Sequence, residues 1–401
     1  MKVVMRQVIL LLGGLFLFSI FVCPTVAFAQ ESSATESANG ETNTALLENG
    51  VDTIVEPKMF EVGVVIRVLE EQTFAVEGTT VHVQRLEVQN NTTGEISEVQ
   101  VGNEFQPLVA AQKYSVGDKI ILSSQTDYES NEYTVVVDRY RIPILVTLVI
   151  LFFITVTAVG GIRGALSILG MFATFGILGW FLLPQILAGA NPVTMSVVAA
   201  IISAAITIYL AHGWCNKSHV AFGSIVVVLG VVIVLSNFVV KATHLLGLGD
   251  EQAYFLQFAE YGNIHLQGLF LAGIIIGAFG VLDDIVVAQV SVVGQLLAAN
   301  KKLSRQELYF SALEVGKDHV ASLVNTLVLA YAGTSLPLFL LVFVDTGIPL
   351  WVKINDQVIA EEIVRTLTGS IGLVLAVPVT TLLAVFFLDK KSLKHEHIHT
   401  H

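Results

Sequence analysis

Residues 269–290 read LFLAGIIIGAFGVLDDIVVAQV, and Asp283 and Asp284 are the only charges in the run. Roughly 20 apolar residues suffice for a helix to cross the hydrocarbon core of a bilayer. An ionisable side chain inside such a span is costly and marks a functional position by default. With the span expected over 265–287, the doublet lies near its C-terminal end, where the helix dipole already disfavours negative charge. It therefore needs a counter-charge, a proton or a cation. The competing reading is that the doublet simply ends the apolar span at the headgroups. The immediate return of apolar residues at Ile285–Val287 weighs against it.

The rest of the chain agrees with a membrane protein. Of 401 residues, 54% are hydrophobic and 13% charged, whereas soluble domains carry about 25% charged residues. Mean hydropathy is +0.74. The net charge of −12 is unevenly placed: residues 30–138 hold 19 acidic and 5 basic side chains, and residues 139–401 hold 14 of each. An acidic segment followed by a neutral apolar one excludes nucleic acid as a partner, since phosphate binding requires clustered positive charge.

Residues 1–29 read as a secretory signal: Lys2 and Arg6, an apolar core Val8–Val22, and a small-x-small site Ala27-Phe28-Ala29. The alternative is an uncleaved first membrane helix. Cys23 lacks a good lipobox, and cleavage would leave Cys215 as the sole cysteine, so no intrachain disulfide is expected. Residues 30–55 read as a flexible, solvated linker. Residues 56–138 read as a small extracytoplasmic β-domain, because Val64–Leu69, Val81–Val88, Ile96–Val101, Lys119–Leu122 and Tyr133–Val137 are rich in β-branched residues. Turn signals at Asn91–Gly94 and Val116–Asp118 separate them. An OB-like barrel and a sandwich both remain open. The paired sequons at Asn90 and Asn91 read as a polar hairpin turn rather than glycan sites.

Residues 139–388 read as a transmembrane helical domain of about seven spans: 142–160, 164–187, 193–211, 220–240, 265–287, 319–344 and 367–388. Lipid offers no partner to unpaired backbone groups, so these spans are helical. A signal segment puts the β-domain outside and the C-terminus inside. Basic residues agree, with nine in the expected inside segments and five outside, Arg139 and Arg141 counting against the rule. The fold class is thus an α-helical polytopic protein of the bacterial cytoplasmic membrane carrying a small N-terminal β-domain. The inside segment 288–317 contains a capping box, Ser304-Arg305-Gln306-Glu307. It reads either as a separate amphipathic helix on the inner surface or as an extension of the sixth span.

Several residues can support chemistry at the doublet. Gly273, Gly277 and Gly280 form a small-residue face through which another helix can approach. Adjacent helical residues diverge by about 100°, so one aspartate points inward while the other reaches the interface or Lys317. The sixth span opens Lys317-Asp318-His319 and continues with Ser322, Asn325 and Thr326 on one face, then Tyr331. Pro337 follows Gly333-Thr334-Ser335, where a kink would free carbonyls able to coordinate a cation. Ordinary interhelical hydrogen bonding is the plainer use of these residues. Glu361 and Arg365 read as an interfacial i, i+4 pair. His395, His397, His399 and His401 alternate along the 389–401 tail and form a weak metal-site candidate, with no structural zinc spacing. Walker A, G-x-S-x-G, H-E-x-x-H and C-x-x-C patterns are absent. No enzyme activity and no cofactor are expected.

The segments Gly277-Ala-Phe-Gly-Val-Leu-Asp283-Asp284, Glu314-Val-Gly-Lys317-Asp318-His319 and Val324-Asn325-Thr326-Leu-Val-Leu-Ala330-Tyr331-Ala-Gly333 together resemble the YibE/F-like bacterial membrane proteins. The resemblance covers about residues 60–388. It implies a multi-pass membrane protein and supplies no activity. The reading that follows is a permease-like protein in the lipid bilayer. Asp283 or Asp284 binds a cation or proton, and Asn325 and Thr326 complete the site. The alternative is a non-transporting sensor or envelope assembly component that meets an envelope protein partner through its β-domain.

Overall fold

The computed structural model describes residues 60–388 except 77–78, 103–107, 127–131, 250–252, 254, 257–263 and 345–346. The expected signal segment, linker and His-rich tail lie outside the described residues. Contacts divide the chain into two units near Phe152.

The first unit is a single antiparallel sheet. Its strands are β1 (Phe60–Val76), β2 (Thr79–Asn90), β3 (Ile96–Val101), β4 (Leu108–Val109), β5 (Lys119–Thr126) and β6 (Glu132–Arg139). The order is β3-β2-β1-β5-β6, with β4 on β2. One sheet rather than two rules out a sandwich. The sheet curls until β3 and β6 face each other across a polar cavity of about 580 Å³, giving a half-barrel. β1 can serve two neighbours because it is long and irregular. It follows β2 along its length, with register shifts at Val65/Arg67 and Val68/Glu70, and pairs β5 only over Phe60–Val64. Such bulges increase local twist and bend a strand. All five predicted strands fall inside observed ones. The two-residue β4 and the polar second half of β1 carried no sequence signal and form by pairing with β2.

Alternation along β2 points Gln84, Leu86 and Val88 inward and leaves Arg85 and Gln89 exposed. The core is Val65, Leu86, Val88, Val99, Val101, Tyr114, Ile120 and Leu122. Gln84 is a polar residue in an apolar slot, 1% exposed. Its carboxamide accepts from the Tyr114 N–H at 2.8 Å and donates to the Tyr114 carbonyl at 3.2 Å. The side chain thus imitates a neighbouring strand and ties the 110–116 segment to the sheet. The predicted turn after β2 is present. The Asn90 carboxamide accepts from the Thr92 N–H at 2.8 Å and donates to Glu61, so its amide is committed to the turn.

The second unit is helical. Its elements are α1 (Ile142–Ile177), a π-helical turn (Leu178–Leu182), α2 (Leu183–Leu187), α3 (Pro192–His212), α4 (Asn216–Ala242), α5 (Leu266–Ala299), α6 (Arg305–Thr334), α7 (Leu336–Val344), α8 (Leu350–Ile354) and α9 (Gln357–Phe387). Among the described residues, five helical runs are long and apolar enough to cross a membrane, or six if the pair α6–α7, bent by 68°, counts as one span. The predicted segments 142–160 and 164–187 fall within one 46-residue run, which breaks at Gly161 (φ 57°, ψ −138°), where the two segments were expected to meet. Gly164 there lies so near Val156 that a Cβ would stand 2.4 Å from the Val156 carbonyl oxygen. In a straight helix those residues are about 12 Å apart, so the run folds sharply at Gly160-Gly161. The capping box is formed, with the Glu307 N–H on Ser304 Oγ at 3.2 Å and the Ser304 N–H on Glu307 at 2.9 Å. It starts α6 itself: the capped segment extends the sixth span and is not a separate helix. The predicted kink lies at Ser335, beside Pro337, whose ring cannot continue the backbone hydrogen-bond ladder.

α5 is the centre of this unit and packs against α3, α4, α6 and α9. Its buried face carries Ile275, Phe279, Leu282, Ile285, Gln289 and Val293, at the spacing of one helical stripe. Glycines permit the closest approaches: a Cβ on Gly316 of α6 would lie 2.4 Å from Val377 Cγ1 of α9, and one on Gly372 of α9 would lie 2.4 Å from Val232 Cγ2 of α4. Ser196 and Ser224 inside the bundle return their hydroxyls to their own helices, to the Val193 carbonyl at 2.9 Å and the Val220 carbonyl at 2.8 Å. They cost the bundle no unpaired donor.

Two outcomes test this packing. Gln84→Ala leaves both backbone groups of Tyr114 without a partner and lowers β-domain stability by about 1–3 kcal/mol in denaturant unfolding followed by circular dichroism. Gly316→Ala costs a similar amount through overpacking, about 1–3 kcal/mol. Adding Val377→Ala removes the clashing methyl, so the double variant unfolds at a higher temperature than Gly316→Ala alone.

Candidate functional site

α5 runs twelve residues past Val287, to Ala299. No proline, glycine pair or charge interrupts Ala288–Ala299, so the helix simply continues. The aspartate doublet therefore sits at mid-helix. The expectation that it lies near a helix C-terminus is corrected, and the dipole argument attached to it falls. What isolates the doublet is its surroundings.

The two acids diverge as helical geometry requires. Asp283 is half-buried, and its Oδ1 is buried with no hydrogen-bond partner among the described residues. The hydroxyl of Thr207 on α3 stands beside this carboxyl. Its proton, however, goes to the Ala204 carbonyl at 3.3 Å. Asp284 is exposed and continues the stripe formed by Gly273, Gly277 and Gly280. Tyr331 of α6 lies over that stripe: a Cβ on Gly277 would be 3.1 Å from its hydroxyl oxygen.

The other predicted residues lie elsewhere. Val320, Val324 and Leu327 turn α6 toward the apolar core. Ser322, Asn325 and Thr326 lie on the opposite, exposed side, and the Thr326 hydroxyl donates to the Ser322 carbonyl at 3.1 Å. In this conformation they share no buried face with the aspartates. Lys317 does not reach the doublet and pairs instead with Glu314 at 2.8 Å. Asp318 and His319 are exposed. His395, His397, His399 and His401 lie outside the described residues, and no cluster of three His, Cys, Asp or Glu side chains occurs among those that are described.

Two polar centres escaped the sequence reading. Gln289, one and a half turns beyond Asp283, is 3% exposed. Its amide donates to the Ala312 carbonyl on α6 at 2.9 Å and to the Thr381 hydroxyl on α9 at 2.7 Å, joining three helices. The signal was present, because Gln289 is the only uncharged polar residue in Ile285–Val290. Glu361 is likewise 3% exposed. Its carboxylate accepts from the N–H groups of Gly247 at 2.9 Å and Gly249 at 3.1 Å, and from the Gln357 amide at 2.9 Å. The expected Glu361–Arg365 surface pair is not formed; Arg365 pairs with Glu362 at 3.0 Å. Glu361 turns inward because the open N–H groups after α4 offer it partners that water would otherwise supply.

The model of the family described as YibE/F-like protein matches residues 148–390. This chain belongs to the YibE/F-like family. The match takes in the central α5 with its doublet, Gln289 and both motifs on α6. The β-domain lies outside the matched residues, so the wider likeness expected from residue 60 onward is confined to the helical unit. No curated protein and no solved structure matches the chain.

Within this YibE/F-like architecture, Glu361→Ala strands two glycine N–H groups and releases the segment after α4. The expected loss is on the order of 3 kcal/mol, given roughly 1.5–3 kcal/mol per hydrogen bond to a charged group. It reads out as a lower thermal midpoint and faster proteolysis at residues 243–249. Glu361→Gln, which keeps one acceptor, falls between Ala and wild type.

Proposed function

We propose that this protein is a permease-like, multi-pass protein of the bacterial cytoplasmic membrane, and that Asp283 is its cation- or proton-binding group. One observation carries the reading: a carboxyl oxygen buried in the central apolar helix with no hydrogen-bond partner among the described residues. A buried charge without a partner is expensive, and the group either takes a proton or holds a cation. A side chain that exchanges one for the other inside a bundle is what ion-coupled transport requires. Asp284, exposed one step around the same helix, is the relay or entry group. The Gly273–Gly277–Gly280 stripe lets a moving helix or a permeant species pass close to the α5 backbone. Five or six apolar helical runs, the family match and the outside-to-inside charge pattern support membrane insertion with the N-terminal domain outside and the C-terminus inside. Asn325 and Thr326, on the far side of α6, would join such a site only in a second conformation.

A specific observation favours one other reading. The polar cavity between β3 and β6 is lined by Glu61, Glu95, Glu98 and Tyr133. It suits a basic envelope partner of a non-transporting sensor or assembly component.

Thermal unfolding of the purified protein against pH and a panel of cations separates the two, because a ligand that binds only the folded state raises the midpoint by mass action. A shift in wild type that Asp283→Asn abolishes, and Asp284→Asn weakens, supports the ion site, with transport of the same ion lost in the first variant. Identical titrations in wild type and both variants would overturn it and favour the β-domain reading.

A further inference from the structure

A second cavity, of about 890 Å³, opens among α1, α3, α4 and α5. Its fixed charges are of one sign, and the Cys215 thiol and the His212 imidazole are the other titratable groups in its wall. Arg163 of α1, His212 at the end of α3 and Lys217 in the first turn of α4 line it, and no Asp or Glu does. This is notable in a chain where residues 139–401 hold 14 acidic and 14 basic side chains. Neutral hydrogen-bonding groups complete the lining: Ser167, Ser291 and Gln295 among them. Each basic residue is placed by a defined local feature. Arg163 directly follows the break at Gly161. His212 ends α3, and Gly213 at φ 72° turns the chain into α4. Lys217 lies across Gly294 of α5, where a Cβ would come 2.9 Å from its Cε. Glycine at 294 is what leaves room for that side chain. The N-terminal turn of α4 borders the same space and has no side-chain cap; its positive end adds to the field of Arg163 and Lys217.

The depth of the cavity is marked by an aromatic cluster. Trp214, 81% exposed, stacks on Tyr209 at 4.4 Å between ring centroids, and the Tyr209 hydroxyl is 2.8 Å from His219 Nδ1. Exposed Trp and Tyr at a helix end are the usual residents of the membrane–water boundary. The basic cavity adjoins this level.

We infer that the cavity binds a phosphate-bearing anion. The chemistry fits a phosphate that meets a guanidinium, an ammonium and several hydroxyl and amide donors together. Basic pockets between membrane helices on the cytoplasmic side accept anionic lipid headgroups, and a soluble phosphate compound would meet the same donors. The inference is independent of the Asp283 reading.

The test uses delipidated full-length protein in detergent. Thermal midpoints are recorded against inorganic phosphate, short-chain phosphatidylglycerol and short-chain phosphatidylcholine, for wild type, Arg163→Gln, Lys217→Gln, Arg163→Lys and Asp283→Asn. The expected result is a concentration-dependent rise with phosphatidylglycerol or with phosphate, absent with phosphatidylcholine. Apparent affinity falls about tenfold or more in each Gln variant, stays closer to wild type in Arg163→Lys, and is unchanged in Asp283→Asn. A response to phosphatidylglycerol alone identifies a lipid headgroup as the source, and a response to phosphate alone a soluble one. Equal shifts with phosphatidylcholine, or Gln variants that respond as wild type does while keeping its unliganded midpoint, would overturn the proposal. If a Gln variant fails to fold, native mass spectrometry of wild type decides: retained phosphatidylglycerol or bound phosphate supports the site, and neither refutes it.

Discussion

Every buried polar group on α5 has to find its partner inside the protein, because an apolar bundle supplies no water to take its place. Gln289 meets that demand by donating to α6 and α9 at once, and Gly316 and Gly372 let the neighbouring helices come near enough for it to work. Ser196, Ser224 and Ser236 solve the same problem alone, by folding back on their own turns. Asp283 does not. It lies in the same helix, less than two turns from Gln289, and one of its oxygens is buried without a partner. On the proposed reading, that open oxygen is where a proton or cation binds. Ser203 and Thr380 also have buried hydroxyl oxygens without partners, but a neutral hydroxyl costs far less in that position than a carboxylate.

The local rules of the sequence were read well where they are local. Apolar length gave α3, α4 and α5 their starts to within a few residues, the capping box at Ser304 gave the start of α6, and Pro337 gave the bend. β-Branched enrichment placed five of the six strands, and Asn90 and Asp118 hold their turns by accepting from the nearby N–H groups of Thr92 and Ser115. Several misreadings share a cause, a partner remote in the chain. The inward turn of Glu361 depends on glycine N–H groups 112 and 114 residues away, whereas the early start of α9 is local, with Asp356 capping the Val358 N–H at 3.0 Å. β4 depends on β2, and the burial of Gln84 depends on the N–H and C=O of Tyr114, 30 residues on. Asn325 and Thr326 were placed on one face of α6 correctly, but which face met α5 was settled by Val320, Val324 and Leu327, whose packing no spacing rule reports.

Asp283 and the basic cavity have different surroundings. Asp283 is half-buried on α5, with the Thr207 hydroxyl of α3 beside it. The basic cavity is wide and hydroxyl-lined, and borders the start of a helix. Both involve α3 and α5, so a shift of α5 along its axis would alter both.

Gly161 carries a consequence for how this sequence can drift. Its φ of 57° with ψ of −138° belongs to a region open to glycine alone, yet nothing lies within 4 Å of where its Cβ would be. Gly160 beside it has equally open space and ordinary φ. Among relatives, position 161 should therefore hold its glycine while 160 wanders, and that persistence would record the shape of a backbone corner instead of contact with any ligand or helix.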